Sequence, residues 1–247
     1  MKGLWPLILL VVLMGCTENN EPTIKDFEQA ILESPIPLSG NFIPENGDHG
    51  YRFFENGNSI GFHGPLSAKF SFDQFISMDI LCDGELEIIE QQAYPGRLVQ
   101  RSKKCHFELE QTLFFSDGIT SITRTEIRNS SALSQDLDLR WEVKMTGDML
   151  FEQERKYGIR FTMGNSEIWP HTSGVEQFEF NEDSTAMIKT TSFGSLYPDQ
   201  DLLVYTVTAY IVEQDSVKPI LRCRPWLIFP EEEYWENCTE FGKDLLK

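Results

Sequence analysis

The chain has 247 residues, with 39 Asp and Glu against 21 Lys and Arg and a formal net charge of −18. A field of that sign repels nucleic acid and anionic lipid surfaces and argues against both as partners, whereas a neutral partner such as a sugar meets no penalty. The length beyond the first 15 residues suits one domain with a sizeable core, at the upper end of what an all-β domain uses.

Lys2 precedes the uncharged run Leu4-Trp5-Pro6-Leu7-Ile8-Leu9-Leu10-Val11-Val12-Leu13-Met14, then Gly15-Cys16 and the polar Thr17-Glu18-Asn19-Asn20. This charged, apolar, small-residue layout reads as a secretory signal over 1–15. The run is shorter than the about 20 residues a bilayer requires. Leu13-Met14-Gly15-Cys16 resembles a lipobox, which implies acylation of Cys16, a membrane partner through that lipid and a bacterial envelope location. Thr17 is not the Asp that often retains such proteins in the inner membrane, so the resemblance favours the outer membrane.

A lipidated tether and short helix are expected over 16–40. Thr23 caps the helix with Asp26 three residues on; Ile24, Phe27 and Ile31 keep helical spacing; Pro35, Pro37 and Gly40 end it. From Tyr51 the period becomes alternating, punctuated by Asn56-Gly57, Asp83-Gly84, Pro95-Gly96, Asp117-Gly118 and Gly164-Asn165. In His106–Phe115, Phe107, Leu109, Leu113 and Phe115 share a face opposite Glu108 and Glu110. In Ile119–Arg128, Ile119, Thr123, Thr125 and Ile127 oppose Arg124, Glu126 and Arg128. In Leu133–Met145 the apolar Leu133, Leu137, Leu139, Trp141, Val143 and Met145 alternate with Asp136, Asp138, Arg140, Glu142 and Lys144, the pattern of a half-buried strand. Leu202–Val212, apolar on both faces, reads as a central strand. Many short strands without intervening helices predict an all-β, antiparallel two-sheet sandwich over 41–229. A closing helix over 230–247 starts at Pro230 and Glu231-Glu232-Glu233, with Tyr234, Cys238, Phe241 and Leu245 as its stripe and Trp235 widening it.

The stretch Ala93-Tyr94-Pro95-Gly96-Arg97-Leu98-Val99-Gln100, the strand ending Thr112-Leu113-Phe114-Phe115, and Thr120 to Asn129 resemble the N-terminal β-sandwich of bacterial enzymes in glycoside hydrolase family 63, relatives of mannosyl-oligosaccharide glucosidase. Phe53-Phe54, Gly61-Phe62-His63-Gly64, Leu137 to Trp141, Arg224-Pro225-Trp226 and Tyr234-Trp235 are similar to further parts of that domain and its linker. The resemblance covers roughly residues 41–247 and implies a two-sheet supersandwich. In the family this packs against an (α/α)-barrel carrying both catalytic carboxylates, so no catalytic residue is carried over. The implied role is a non-catalytic, lipid-anchored domain that supports or docks such a barrel, as a separate domain or subunit. The alternatives are a surface oligosaccharide-binding lipoprotein and a structural or assembly lipoprotein.

The residues themselves offer little chemistry. Glu87, Glu90, Glu108, Glu110, Asp136 and Asp138 could supply a glycosidase pair, but they fall on outward strand faces where solvated acids belong. His49, His63, His106 and His171 are scattered, no zinc spacing such as CxxC or HExxH occurs, and neither metal nor cofactor is expected. Cys105-His106, read as adjacent strand residues, point to opposite faces and cannot pair as nucleophile and base. In an oxidising compartment Cys82, Cys105, Cys223 and Cys238 permit three disulfide pairings, with free thiols an equal alternative. Trp141 is expected in the core. Trp169-Pro170-His171 is expected in a loop, where Trp169 and His171, together with His63, are candidate glycan contacts. Trp226, Tyr234, Trp235, Cys238, Phe241 and Leu245 form a candidate docking surface, or a stripe that folds back on the sandwich.

Overall fold

A computed structural model describes residues 32–36, 40–43, 49–54, 59–67, 71–116, 118–145, 149–154, 158–164, 166–172, 179–181 and 186–212. The expectations for the signal, Cys16, Asn56-Gly57, Cys223, Cys238 and the closing helix, with Trp226, Tyr234, Trp235, Phe241 and Leu245, lie outside the described residues. Leu32 and Glu33 are helical and Pro35 follows, where the N-terminal helix was expected to stop.

Fourteen strands are described: β1 His49–Arg52, β2 His63–Ser67, β3 Ile76–Ile80, β4 Leu86–Tyr94, β5 Arg97–Lys104, β6 Phe107–Phe115, β7 Thr120–Asn129, β8 Gln135–Lys144, β9 Leu150–Glu154, β10 Gly158–Met163, β11 Ser166–Thr172, β12 Glu179–Phe180, β13 Ala186–Leu196 and β14 Asp201–Val212. They form an eight-stranded sheet in the order β4-β5-β6-β7-β14-β11-β10-β9, a four-stranded sheet β12-β13-β8-β3, and the pair β1-β2. Neighbouring strands run antiparallel throughout. The fold class is the expected all-β antiparallel sandwich.

Alternation sets which sheet faces meet. On β8, Leu137, Leu139, Trp141 and Val143 have no solvent exposure. With Met78, Ile80 and Leu196 of the smaller sheet, the first three of these pack against Phe107, Leu109, Ile127 and Val204 of the larger one. A second cluster joins Phe75, Val143 and Met187 to Phe161, Ile168 and Tyr210. A third sits under β1-β2, where Tyr51 and Phe62 cover Leu98, Leu113 and Phe115. β14 lies between β7 and β11, the central position its two apolar faces predict. Leu133, expected on the apolar face of β8, precedes the strand and is 72% exposed; the pairing of β8 with β13 begins only at Gln135.

Pro95-Gly96 makes the turn from β4 to β5, and Gly96 takes φ +88°, a value that favours glycine at the third position of a type II turn. Gly64, at φ +143°, is pressed against the backbone carbonyl of Gly50 and the ring of Tyr51, so a side chain there would collide. Cys82 is disulfide-bonded to Cys105 across 6.6 Å between Cα atoms. The bond ties the segment after β3, in the smaller sheet, to the β5–β6 turn of the larger one, and closing this loop contributes about 3 kcal/mol on chain-entropy arithmetic. Cys105 and His106 are turn residues rather than strand residues, with Cys105 at φ +54°. The thiol is consumed by the bridge, which removes Cys105 as a nucleophile.

Leu139→Ala opens a void where two sheets meet and is expected to cost about 2–5 kcal/mol, read as a lower denaturant midpoint at unchanged slope.

Candidate functional site

The inward face of the larger sheet is not apolar throughout. Gln91 donates from Nε2 to Gln100 Oε1 (2.8 Å), Gln100 to Gln111 Oε1 (3.5 Å), and Gln111 to Thr125 Oγ1 (3.3 Å). This amide row crosses β4 to β7 between the first and third clusters. Gln100 also donates to the Ser59 carbonyl, and Gln74 to the Ile60 carbonyl, which holds residues 59–61 over the row. Ser121 Oγ donates to the Thr208 carbonyl and so accepts from the Tyr51 hydroxyl at 2.8 Å. Burial pushes the Tyr51 phenol up to about 12, which keeps it protonated as that donor. The cavity beside these groups is ≈ 30 Å³. It has room for roughly one or two waters, and none for a sugar ring.

The outward face of the same sheet is the stronger candidate. The one-residue bulge between Ile88 and Glu90 leaves Ile89 58% exposed at the rim of a cleft of ≈ 310 Å³. Its wall carries Arg101, Glu108, Glu110, Glu126 and Arg128. Strand register pairs most of these with an opposite charge. Arg101 bridges Glu110 (Nε to Oε2, 2.8 Å) and Glu90 (Nη1 to Oε2, 2.9 Å). Arg128 grips Asp201 through two hydrogen bonds of 2.7 and 3.1 Å. Glu110, then Glu90, raise the Arg101 guanidinium above its ordinary value; Arg128, through its hydrogen bond first, lowers the Asp201 carboxyl below its own. These pairs are exposed, so they orient side chains more than they stabilise the fold. One pairing runs against the pattern: Glu110 stands directly opposite Glu126 on β7. Like charges in that position are unfavourable, and Arg101 on one side and Arg124 on the other (3.1 Å to Glu126) offset the repulsion.

The three candidate glycan contacts do not converge. His63 opens β2, with its ring 5.7 Å from that of Phe54. Trp169 and His171 are on β11, not in a loop, and both point outward from the larger sheet. Trp169 is not an open platform: it is buried, Arg160 sits 5.6 Å over its ring, and its Nε1 donates to Glu167 at 3.2 Å. Burial lowers the His171 imidazole below its ordinary value. Sequence reading assigned the cleft acids Glu108 and Glu110 to a solvated face, as observed, but missed the Glu110–Glu126 opposition. The signal for it, two acidic positions brought opposite across neighbouring strands, lay in the register of β6 and β7.

No protein-family model matches the chain, and no curated protein matches it. Among solved structures it is similar to a protein named as a kojibiose phosphorylase from human microbiome (12% identity, TM-score 0.46, 80% of this chain and 34% of that one). It is also similar to one named as an aldose 1-epimerase from Escherichia coli K12 (7%, 0.38, 74% and 82%) and to a heparan sulfate lyase from Pedobacter heparinus (7%, 0.35, 68% and 29%). The chain spans about a third of the phosphorylase's length. At these identities and scores no residue's role passes from those proteins to this chain.

An unfolded His171 takes up a proton near pH 6.5, whereas the folded one does so at lower pH. The unfolded state therefore binds more protons as the pH falls below about 6.5, and the fold loses stability over that window until the lowered folded value is reached. The drop in denaturant midpoint between pH 7.5 and 5.5 is expected to be smaller in His171→Gln than in the parent chain.

Proposed function

We propose that this chain is a lipid-anchored, non-catalytic β-sandwich domain of the family-63 type, which contacts an oligosaccharide through the outward cleft while catalysis belongs to a partner barrel. The observation that carries this reading is the Glu110–Glu126 opposition inside the cleft. Two carboxylates facing each other, flanked by Arg101 and Arg128, put acceptors and planar donors within reach of sugar hydroxyls. Their oxygens are already engaged by guanidinium groups, an arrangement suited to holding hydroxyls rather than to passing protons. A cleft of this volume lies at the low end of ligand pockets, which run from about 300 Å³, and would hold one or two sugar units of a longer chain. Lipid on Cys16 would confine the domain to a bacterial membrane surface, facing the envelope's glycans.

Calorimetric titration of the full chain in detergent micelles against α-glucan and mannan oligosaccharides is expected to show saturable heat. Glu126→Gln should weaken that binding about tenfold, the loss of one charge-assisted hydrogen bond, and leave fold stability nearly unchanged, since it relieves the Glu110 contact and gives up the Arg124 ion pair together. Heatless titrations across the panel would sink the saccharide reading and leave the assembly role.

The anchor is checked separately. Cells fed labelled palmitate should label the chain and retain it in the membrane fraction, and Cys16→Ala should lose both.

A further inference from the structure

Three loops meet at one end of the sandwich and are tied to one another. Asn129, the last residue of β7, is fully buried. Its Nδ2 donates to the Leu133 carbonyl in the β7–β8 loop and to the Leu196 carbonyl at the end of β13, both at 2.8 Å. Its Oδ1 accepts from the Ser131 backbone N–H, and its own carbonyl accepts from that of Asp199. Past β13, Tyr197 to Gln200 close a turn. The Gln200 N–H donates to the Tyr197 carbonyl, and the Gln200 side chain accepts from the Tyr197 N–H. Ser130 donates through its N–H and its hydroxyl to the His106 carbonyl in the β5–β6 turn. The Cys82–Cys105 bond pins that turn from the other side.

What these fixed loops display is exposed. Leu133 is 72% exposed and Tyr197 66%, and neither belongs to a core cluster, so the fold gains little from them. One amide group holds the backbone at Leu133 and at Leu196, so Leu133 and Tyr197 stand on adjoining loops. Large side chains shown to solvent on fixed backbone suit binding, because little freedom remains to be lost when a ligand arrives. The surroundings narrow the occupant. Asp199 and Asp201 near Tyr197, and Asp136 near Leu133, are exposed acids that disfavour an anionic bilayer. Two side chains fall far short of the about 800 Å² per partner that a stable protein interface buries. A sugar needs only one apolar ring face against an aromatic, with hydroxyl partners close by. Such partners adjoin: Arg128 of the cleft wall precedes Asn129, and Asp201, which it grips, follows Gln200.

We propose that Leu133 and Tyr197 form an apolar subsite next to the charged cleft, on which one ring of a neutral oligosaccharide stacks while further units occupy the cleft. This rests on the saccharide reading above and adds the ligand's length and polarity: an uncharged chain of several units, with an apolar ring face turned to Tyr197. Asn129 is a positioning residue here, buried beneath the site and setting the backbone of both loops. A second copy of the chain and a bilayer are the other occupants that the test can reveal.

The test is calorimetric titration of the full chain in detergent micelles with α-glucan and mannan oligosaccharides of two and of six units. Tyr197→Ala is expected to weaken binding of the six-unit chain about tenfold, the loss of one stacked ring, and to leave the two-unit sugar within about twofold of the parent. Tyr197→Phe, which keeps the ring and drops the hydroxyl, should bind both lengths as the parent does. Because Tyr197 is exposed, the denaturant midpoint should stay the same in both variants. Equal binding of the six-unit chain by Tyr197→Ala and the parent overturns the proposal, as does equal weakening at both lengths. If Glu126→Gln weakens binding while Tyr197→Ala does not, the subsite fails and the cleft reading stands; a parent chain that gives no heat with any sugar sinks both. Self-association, or binding to phosphatidylcholine vesicles, that Tyr197→Ala abolishes without changing saccharide affinity names a second copy or a bilayer as the occupant and overturns the proposal.

Discussion

Trp141 has no solvent exposure, and the face of β8 that carries it makes two sheets into one body. Every second residue from Leu137 to Val143 is apolar and fully buried, and the residues between them are polar and at least partly wet. A one-residue slip of β8 against β13 or β3 would turn this whole row to solvent. The register of the smaller sheet is therefore fixed by burial, and with it the part of the larger sheet that must face inward. The outward face, where the candidate site lies, is defined only because the inward face is already committed.

That commitment is uneven across the larger sheet. Apolar contact holds it at both ends of its inward face, while Gln100, Gln111 and Thr125 occupy the space between. A buried amide is costly unless it is hydrogen-bonded. Here Gln100 donates both to Gln111 and to the Ser59 loop carbonyl, and Gln111 reaches the Thr125 hydroxyl. The row thus trades hydrophobic burial for directionality: it fixes where residues 59–61 lie, and they in turn close the top of the third cluster through Phe62.

How much of this could be read beforehand depends on whether a residue's surroundings are local. The alternation of β8, the two apolar faces of β14 and the Pro95-Gly96 turn are local patterns, and they predict strand, centrality and turn correctly. Trp169-Pro170-His171 misleads because proline usually interrupts a sheet. It is accommodated here because the described pairing of β10 with β11 stops at Ile168, so Pro170 has a laddered neighbour only on the β14 side. The Gln row, the Cys82–Cys105 bond and the Glu110–Glu126 opposition all join residues from different strands, and each needs a register that no single strand encodes.

The two ends of the outward face then follow from one asymmetry. One end carries the buried Phe114, Ile122 and Trp169, whereas the other carries Arg101, Glu110 and Arg128 with their charges paired across strands. Burial at the first end lowers the His171 imidazole by desolvation, while the other end leaves its charges hydrated and matched across strands. Within that matched ladder the pair Glu110 and Glu126 is the local exception, and it lies in the cleft beside the β4 bulge. Bulges re-aim side chains and are frequent next to binding sites. A like-charge pair beside a bulge, held in place only by Arg101 and Arg124 on either side, is where a fold optimised for stability alone would have placed an opposite charge.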